Sequence, residues 1–189
     1  MFVYVTDIPD IKQTSHKIPK NGIFVFDNFI SDDLCDEIRN TIENSRLYDE
    51  RLILEKTNVS CLRIHPTEII NLRFHHYMIK KFMKFGRLLS TEYAILCNNT
   101  DDIQYRKIIG ATKFHYDGIR EDSMRSISVI LALNDDYEGG ELVFPLQDYK
   151  IKLKKGQLIA FPPFWTHPHY TNELENGTFR YTINFWFTQ

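Results

Sequence analysis

From Ile103 to Phe187 the sequence reads as short strands broken by turns, and this stretch constrains the fold most. Ile127-Ser-Val-Ile-Leu-Ala-Leu133 is almost wholly apolar, as a central strand covered on both faces would be. Asn134-Asp-Asp-Tyr-Glu-Gly-Gly140 is a turn cluster rich in residues that tolerate unusual backbone angles. Further strands are expected at Glu141 to Phe144, Tyr149 to Leu153, Gln157 to Phe161 and Thr178 to Phe187. In the second of these, Tyr149, Ile151 and Leu153 alternate with Lys150 and Lys152, so one face is solvated. Five or more short strands at this spacing predict a sandwich, a jelly roll or a barrel.

The first half has a different texture. Residues 1–20 are polar, with Pro9 and Pro19, and read as an irregular lead-in. Gly22 to Asp27 is a short strand. Ser31 is a favoured N-cap, Asp32 and Asp33 suit a first helical turn, and Leu34, Ile38 and Ile42 recur every four residues, which predicts a helix over 32–44. Pro66 suits the first position of a longer helix running to about Tyr93, with Asn98 to Asp102 as a loop. Adjacent His75 and His76 diverge by about 100° on such a helix and cannot both face one ion. The expected organisation is one domain over 1–189, with mainly helical support over 1–100 and a strand-built core over 101–189. That length buries enough surface to fold without staples.

Composition narrows the classes of function. The chain has 23 basic and 25 acidic residues, a balance that does not favour a nucleic-acid partner. No apolar run reaches the ~18–20 residues of a membrane span, and no secretory leader is recognisable at the N-terminus, so the expectation is a cytoplasmic protein without membrane contact. Cys35, Cys61 and Cys97 are odd in number and lack CxxC spacing. They read as small buried hydrophobes.

Three groups could carry chemistry. His115 and Asp117 stand at i and i+2, so an extended backbone presents an imidazole and a carboxylate to one side. A Trp165-Thr-His-Pro-His169 segment follows a strand, with its first histidine 50 residues after Asp117. Two histidines and one carboxylate, with the other positions open, suit non-haem Fe(II); zinc accepts the same ligand types. The third group is Arg180, on an apolar, aromatic strand with no acidic neighbour. A buried guanidinium there needs an anion, and a ligand carboxylate would serve; a snorkelling edge-strand arginine is the plain alternative.

Together these residues resemble the 2-oxoglutarate- and Fe(II)-dependent oxygenases, most closely the prolyl-4-hydroxylase-like branch. The resemblance rests on His115-Tyr-Asp117, Leu133-Asn-Asp-Asp-Tyr-Glu-Gly-Gly-Glu-Leu-Val-Phe-Pro145, Lys154-Lys-Gly156, Phe161-Pro162, His167 and Arg180, in the family's order. It implies an α+β fold, a double-stranded β-helix (jelly roll) with N-terminal supporting helices. It implies iron held by His115, Asp117 and His167, and 2-oxoglutarate held by Arg180, with Tyr105 beside the cosubstrate. In similar sequences the first His of a Thr-His-x-His run aligns with the ligand. His169, 11 residues before Arg180, is the rival, and Pro168 makes the two rings point differently.

The activity implied is a dioxygenase that hydroxylates a C–H bond and converts 2-oxoglutarate to succinate and CO2, with ascorbate as a candidate reductant. A prolyl residue in a protein or peptide is the first substrate to consider; a small molecule also fits. The alternatives are a weakly catalytic or non-catalytic binding module on the same fold, an oxidative nucleic-acid demethylase, and a zinc-dependent cupin-type enzyme. Glu138 and Glu141 read as members of a solvated turn rather than as acid or base.

Overall fold

The computed structural model describes residues 19, 21–49, 59–120 and 123–189. The lead-in expected over 1–20 therefore lies almost wholly outside the described residues. The elements begin with β1 (Phe24–Phe26), α1 (Asp32–Asn44), β2 (Leu47–Asp49), β3 (Val59–Ile64), α2 (Pro66–Ile69) and α3 (Arg73–Tyr93). Then come β4 (Asn99–Thr100), β5 (Gln104–Thr112), β6 (Ile119–Arg120), β7 (Ser123–Ala132), β8 (Glu138–Gly139) and β9 (Leu142–Phe144). The chain closes with β10 (Tyr149–Ile151), β11 (Leu158–Phe161), β12 (Tyr170–Thr171), β13 (Leu174–Glu175) and β14 (Arg180–Thr188).

The main sheet has the order β1-β11-β7-β14-β5-β3-β2, with β4 added to β14 and β6 to β7. Against it lie a three-stranded sheet, β10-β9-β12, and the β13-β8 pair. All pairings are antiparallel. This is a jelly roll with helices on the outer face of its larger sheet, the α+β architecture that the resemblance implies.

The period-two alternation of β14 divides the molecule. Tyr181, Ile183, Phe185 and Phe187 point to the helices and are buried there. Thr182, Asn184 and Trp186 point into the roll. Helix α3 meets the first set with Phe74, Met78, Phe82, Phe85 and Leu89, spaced at three and four residues. The rings of Phe82 and Phe185 lie 4.0 Å apart. At Gly86 a Cβ would come within 2.7 Å of the Phe187 ring, so the helix approaches the sheet to a depth only glycine permits. A smaller cluster, including Leu142, Phe144, Ile159 and Phe161, fills the space between the two sheets.

Helix α1 forms where its pattern predicts. The Ser31 side chain accepts from the Leu34 N–H at 3.4 Å, and Cys35, Ile38 and Ile42 are buried. The long helix expected from Pro66 is instead two helices. Leu72 is extended (φ −75°, ψ 122°), and Ile70, which an apolar helix face would bury, is 69% exposed. The mainly helical support expected over 1–100 also contains strands beyond the one expected at Gly22 to Asp27, because β2 and β3 extend the main sheet beyond β5. Strand β3 carries a buried arginine, Arg63, whose Nη2 donates to Asp102 Oδ2 at 2.6 Å. That charge breaks the apolar alternation by which a strand is recognised.

Candidate metal and cosubstrate site

Past the end of β5 the chain stays extended through His115 and Asp117, and it is tied there to the segment entering β12. The His115 N–H donates to the His169 carbonyl at 3.0 Å, and the His169 N–H donates to the His115 carbonyl at 2.8 Å. Such a reciprocal antiparallel pair sets the two side chains opposite each other on one face. Their ring centroids are 4.3 Å apart. Asp117, two residues on, joins the same face: its Oδ1 is 3.4 Å from His115 Nε2 and its Oδ2 is 3.9 Å from His169 Nε2. One donor atom from each of the three residues lies within 4.8 Å of the others.

The outer hydrogen bonds settle which ring nitrogens are available. His115 Nδ1 lies 2.8 Å from the Lys113 carbonyl, and His169 Nδ1 lies 3.1 Å from the His167 carbonyl. A carbonyl oxygen can only accept, so both Nδ1 atoms carry the proton. An ion on the Asp117 side would therefore meet Nε2 of both rings; otherwise His115 Nε2 takes a proton and donates it toward Asp117 Oδ1. A carbonyl on Nδ1 is the arrangement that metal-binding histidines adopt. The Ser128 hydroxyl donates to Asp117 Oδ2 at 2.5 Å, and Arg125 Nη1 donates to the Asp117 main-chain carbonyl at 3.2 Å. Arg125 is itself held by Asp101, at 2.9 and 3.1 Å, and lies 3.7 Å over the Trp186 ring.

Burial opposes the charge on Asp117, but the hydrogen bond from His115, the two imidazoles and the Ser128 hydroxyl outweigh it. They hold the carboxyl well below the ordinary carboxylate range. Burial lowers His169, against the pull of Asp117, and keeps that ring neutral. Burial also opposes the charged form of His115, yet there Asp117 prevails and the net shift is upward.

The second histidine of the cluster is His169, and the structure places His167, expected in that position, outside it. His167 is buried, with its Nε2 2.9 Å from the Asn21 carbonyl and its Nδ1 3.0 Å from Thr166 Oγ1. The His167 N–H closes a turn onto the Phe164 carbonyl at 2.9 Å, and Pro168 follows, so the two rings do not share a face.

Arg180 opens into the same cavity as the three clustered residues, at the other end of β14 from Trp186. Its Nη1 donates to the Gly140 carbonyl at 2.6 Å. Its Nε is buried with no hydrogen-bond partner, and no carboxylate among the described residues pairs with it. Burial lowers Arg180 from its ordinary value, and the nearest compensation is the Tyr137 hydroxyl rather than an acid. A buried cation with an unused donor is a receptor for an anion.

Tyr105 does not line this cavity, which corrects the expectation that it touches the cosubstrate. It lies one residue out of phase with the lining residues Arg106 and Ile108. It is fully buried against α3, packs on Phe74, and its hydroxyl is 3.0 Å from His75 Nδ1. Sequence reading passed over Ser128, Thr182, Asn184 and Trp186, which all line the cavity. Alternation along β14, counted from Arg180, could have found the last three. Glu138 is exposed, and Glu141 accepts from Asn172 at 2.9 Å, away from the cluster. The donor set fits Fe(II), and the cavity with Arg180 fits a dicarboxylic keto acid.

Residues 103–188 match the model of the 2OG-Fe(II) oxygenase superfamily. Prolyl 3-hydroxylase 2 of Rattus norvegicus and of Homo sapiens are each 37% identical to this chain over 71 residues. That stretch is 35% of this chain and 10% of those proteins. The chain thus spans about a tenth of the length of these curated relatives.

Among solved structures, the viral collagen prolyl hydroxylase of Paramecium Bursaria Chlorella virus-1, in its 2OG complex, superposes with a TM-score of 0.66 at 23% identity, covering 88% of this chain and 96% of that one. A Pseudomonas putida prolyl-4-hydroxylase gives 0.64 at 18% identity, covering 90% and 94%. A Trichoplax adhaerens prolyl hydroxylase in complex with a hypoxia inducible factor oxygen degradation domain peptide gives 0.66 at 17%, covering 89% and 84%. At these identities the structures establish the fold.

Proposed function

We propose that this chain, whose residues 103–188 are a domain of the 2OG-Fe(II) oxygenase superfamily, hydroxylates prolyl residues of a protein or peptide. The observation that carries the reading is one cavity with two ends. At one end His115, Asp117 and His169 aim two imidazole Nε2 atoms and a carboxylate at a common point. At the other, Arg180 holds a buried donor that no acid among the described residues meets.

His115, Asp117 and His169 would hold Fe(II), and three protein ligands leave the remaining positions to small molecules. Arg180 would pair with the distal carboxylate of 2-oxoglutarate, while Thr182 and Asn184, hydrogen-bonded to each other at 2.6 Å, form the floor beside it. Bound together, the metal and the keto acid supply an oxidant made from O2, which turns a C–H bond into C–OH while 2-oxoglutarate becomes succinate and CO2. The protein's own part is to orient the ligands and keep water out. Ile108, Ile130 and Leu142 line the cavity with apolar surface, which strengthens every charge interaction inside it.

The prolyl substrate is supported by the 37% identity to prolyl 3-hydroxylase 2 over 71 residues. The test is incubation of the protein with Fe(II), 2-oxoglutarate, ascorbate and proline-containing peptides in air. Succinate formed in step with a gain of one oxygen atom on a prolyl residue is the expected result. Succinate formation that no proline-containing peptide accelerates, but a free amino acid does, would move the substrate to a small molecule.

A further inference from the structure

The histidine displaced from the cluster has a position of its own. His167 Nε2 faces the Asn21 carbonyl at 2.9 Å, so Nε2 carries the proton, and Nδ1 is left to accept from the Thr166 hydroxyl at 3.0 Å. This is the opposite tautomer from that of His115 and His169. Gly22, at φ +69°, packs on the same ring: a Cβ there would stand 2.9 Å from His167 Nε2 and 3.2 Å from its Cε1. The turn holding Asn21 and Gly22 is closed by the Gly22 N–H on the Pro19 carbonyl at 2.8 Å. It runs at once into β1, which is paired to β11 with Phe24 opposite Ala160. The main chain of His167 completes the joint, because its carbonyl is the group that receives His169 Nδ1 at 3.1 Å.

Resting on the metal-site reading above, we propose that His167 is a positioning residue that fixes the orientation and tautomer of His169 by clamping the Thr166–His169 segment to the N-terminal turn at Asn21–Gly22. Two observations carry it: a buried, hydrogen-bonded ring that is not in the cluster, and a glycine whose missing side chain makes room for that ring. His167 is 8% exposed, so the clamp is inside the fold. The segment it clamps consists of a turn, Pro168 and His169, and no strand pairing begins before His169. Without the clamp, the carbonyl that orients His169 rests only on that turn.

The test uses the purified full chain and Co2+ as the probe, titrated by its visible absorption. Loss of the outer support of a metal-binding histidine costs roughly 10–100-fold in affinity. His167→Ala should lose about that much, and Gly22→Ala should lose a similar amount by pushing on an intact His167. His167→Gln, whose amide N–H can still donate to Asn21, should stay within about threefold of the wild type and serves as the folding control. A second readout needs no metal. Ring 15N shifts of His169 in the metal-free protein should report a proton fixed on Nδ1 in the wild type and in His167→Gln, and tautomer exchange in His167→Ala. Wild-type Co2+ affinity and an unchanged His169 tautomer in both His167→Ala and Gly22→Ala would overturn the proposal. Failure of the wild type to bind Co2+ would count against the metal-site reading, and the tautomer measurement would then decide the clamp alone.

Discussion

Removing the Arg180 guanidinium separates two effects that coincide in the native protein. A buried cation with no acid beside it among the described residues costs stability, yet in the proposed function the same cation anchors a dicarboxylate. Arg180→Met should therefore melt no lower than the wild type when ligand-free. It should also lose 2-oxoglutarate affinity by roughly 30–1000-fold, the scale of leaving a charge partner unpaired. Thermal melts with and without 2-oxoglutarate check both halves, since ligand stabilisation should disappear from the variant. At Asp117, loss of the 2.5 Å bond from Ser128 removes one of the contacts that favour the carboxylate. Ser128→Ala should weaken metal binding by about tenfold, as read by competition with a chelator. The thiols give a contrasting case. Burial pushes Cys35 up to about 12 and Cys97 up to about 11. Iodoacetamide at mildly alkaline pH should leave both unmodified in the native protein and alkylate both in urea, as intact-mass measurement will show.

At the scale of elements, helix α3 is the main support of the large sheet, and Phe82 is its central contact. Phe82 is fully buried, 4.0 Å from the Phe185 ring centroid and stacked near Phe29. Phe82→Ala should cost about 3–5 kcal/mol, or on the order of 10 °C in melting temperature. Elements whose local signals agree are the ones that can be read from sequence. Helix α1 has its cap, its acidic first turn and its four-residue apolar spacing, and it spans Asp32–Asn44 as read. The all-apolar run of β7 and the lysine alternation around β10 are likewise legible, and Lys150 and Lys152 are exposed. Strand β3 was not legible, because its buried polar position, Arg63, depends on Asp102 across the fold. The break between α2 and α3 was hidden because Ile70 extends an apolar pattern while pointing to solvent.

Over the whole molecule, charge pairs on the helical side link stability to pH. Burial raises Glu43, but Lys107 and the Tyr181 hydroxyl outweigh it and lower the carboxyl. The Asn134 amide and Arg39 lower Asp136. For both, the folded value lies below the unfolded one. Their contribution is complete above the ordinary carboxylate range, near pH 4, and is lost as pH falls through the folded values. Urea midpoints should fall below about pH 4 as Glu43 and Asp136 protonate, with a shallower fall in high salt.

The site was partly legible for a reason on the same scale. Strand parity puts His115 and Asp117 on one side, the family resemblance singles that pair out, and Arg180 stands out as a lone cation on an aromatic strand. The choice between His167 and His169 was not open to sequence reading. It is made by the reciprocal hydrogen bonds of His169 with His115 and by an N-terminal turn about 146 residues away in sequence. Tyr105 was misplaced because one step along β5 exchanges the cavity for the helical face.

The most direct measurement of the central claim is the visible spectrum of the protein with Fe(II) and 2-oxoglutarate under anaerobic conditions. A weak metal-to-ligand charge-transfer band is expected in the wild type. It should be absent in His169→Ala and His115→Ala and diminished in Arg180→Met. No band in the wild type at saturating iron and keto acid, or a band that survives in His169→Ala, would contradict the account.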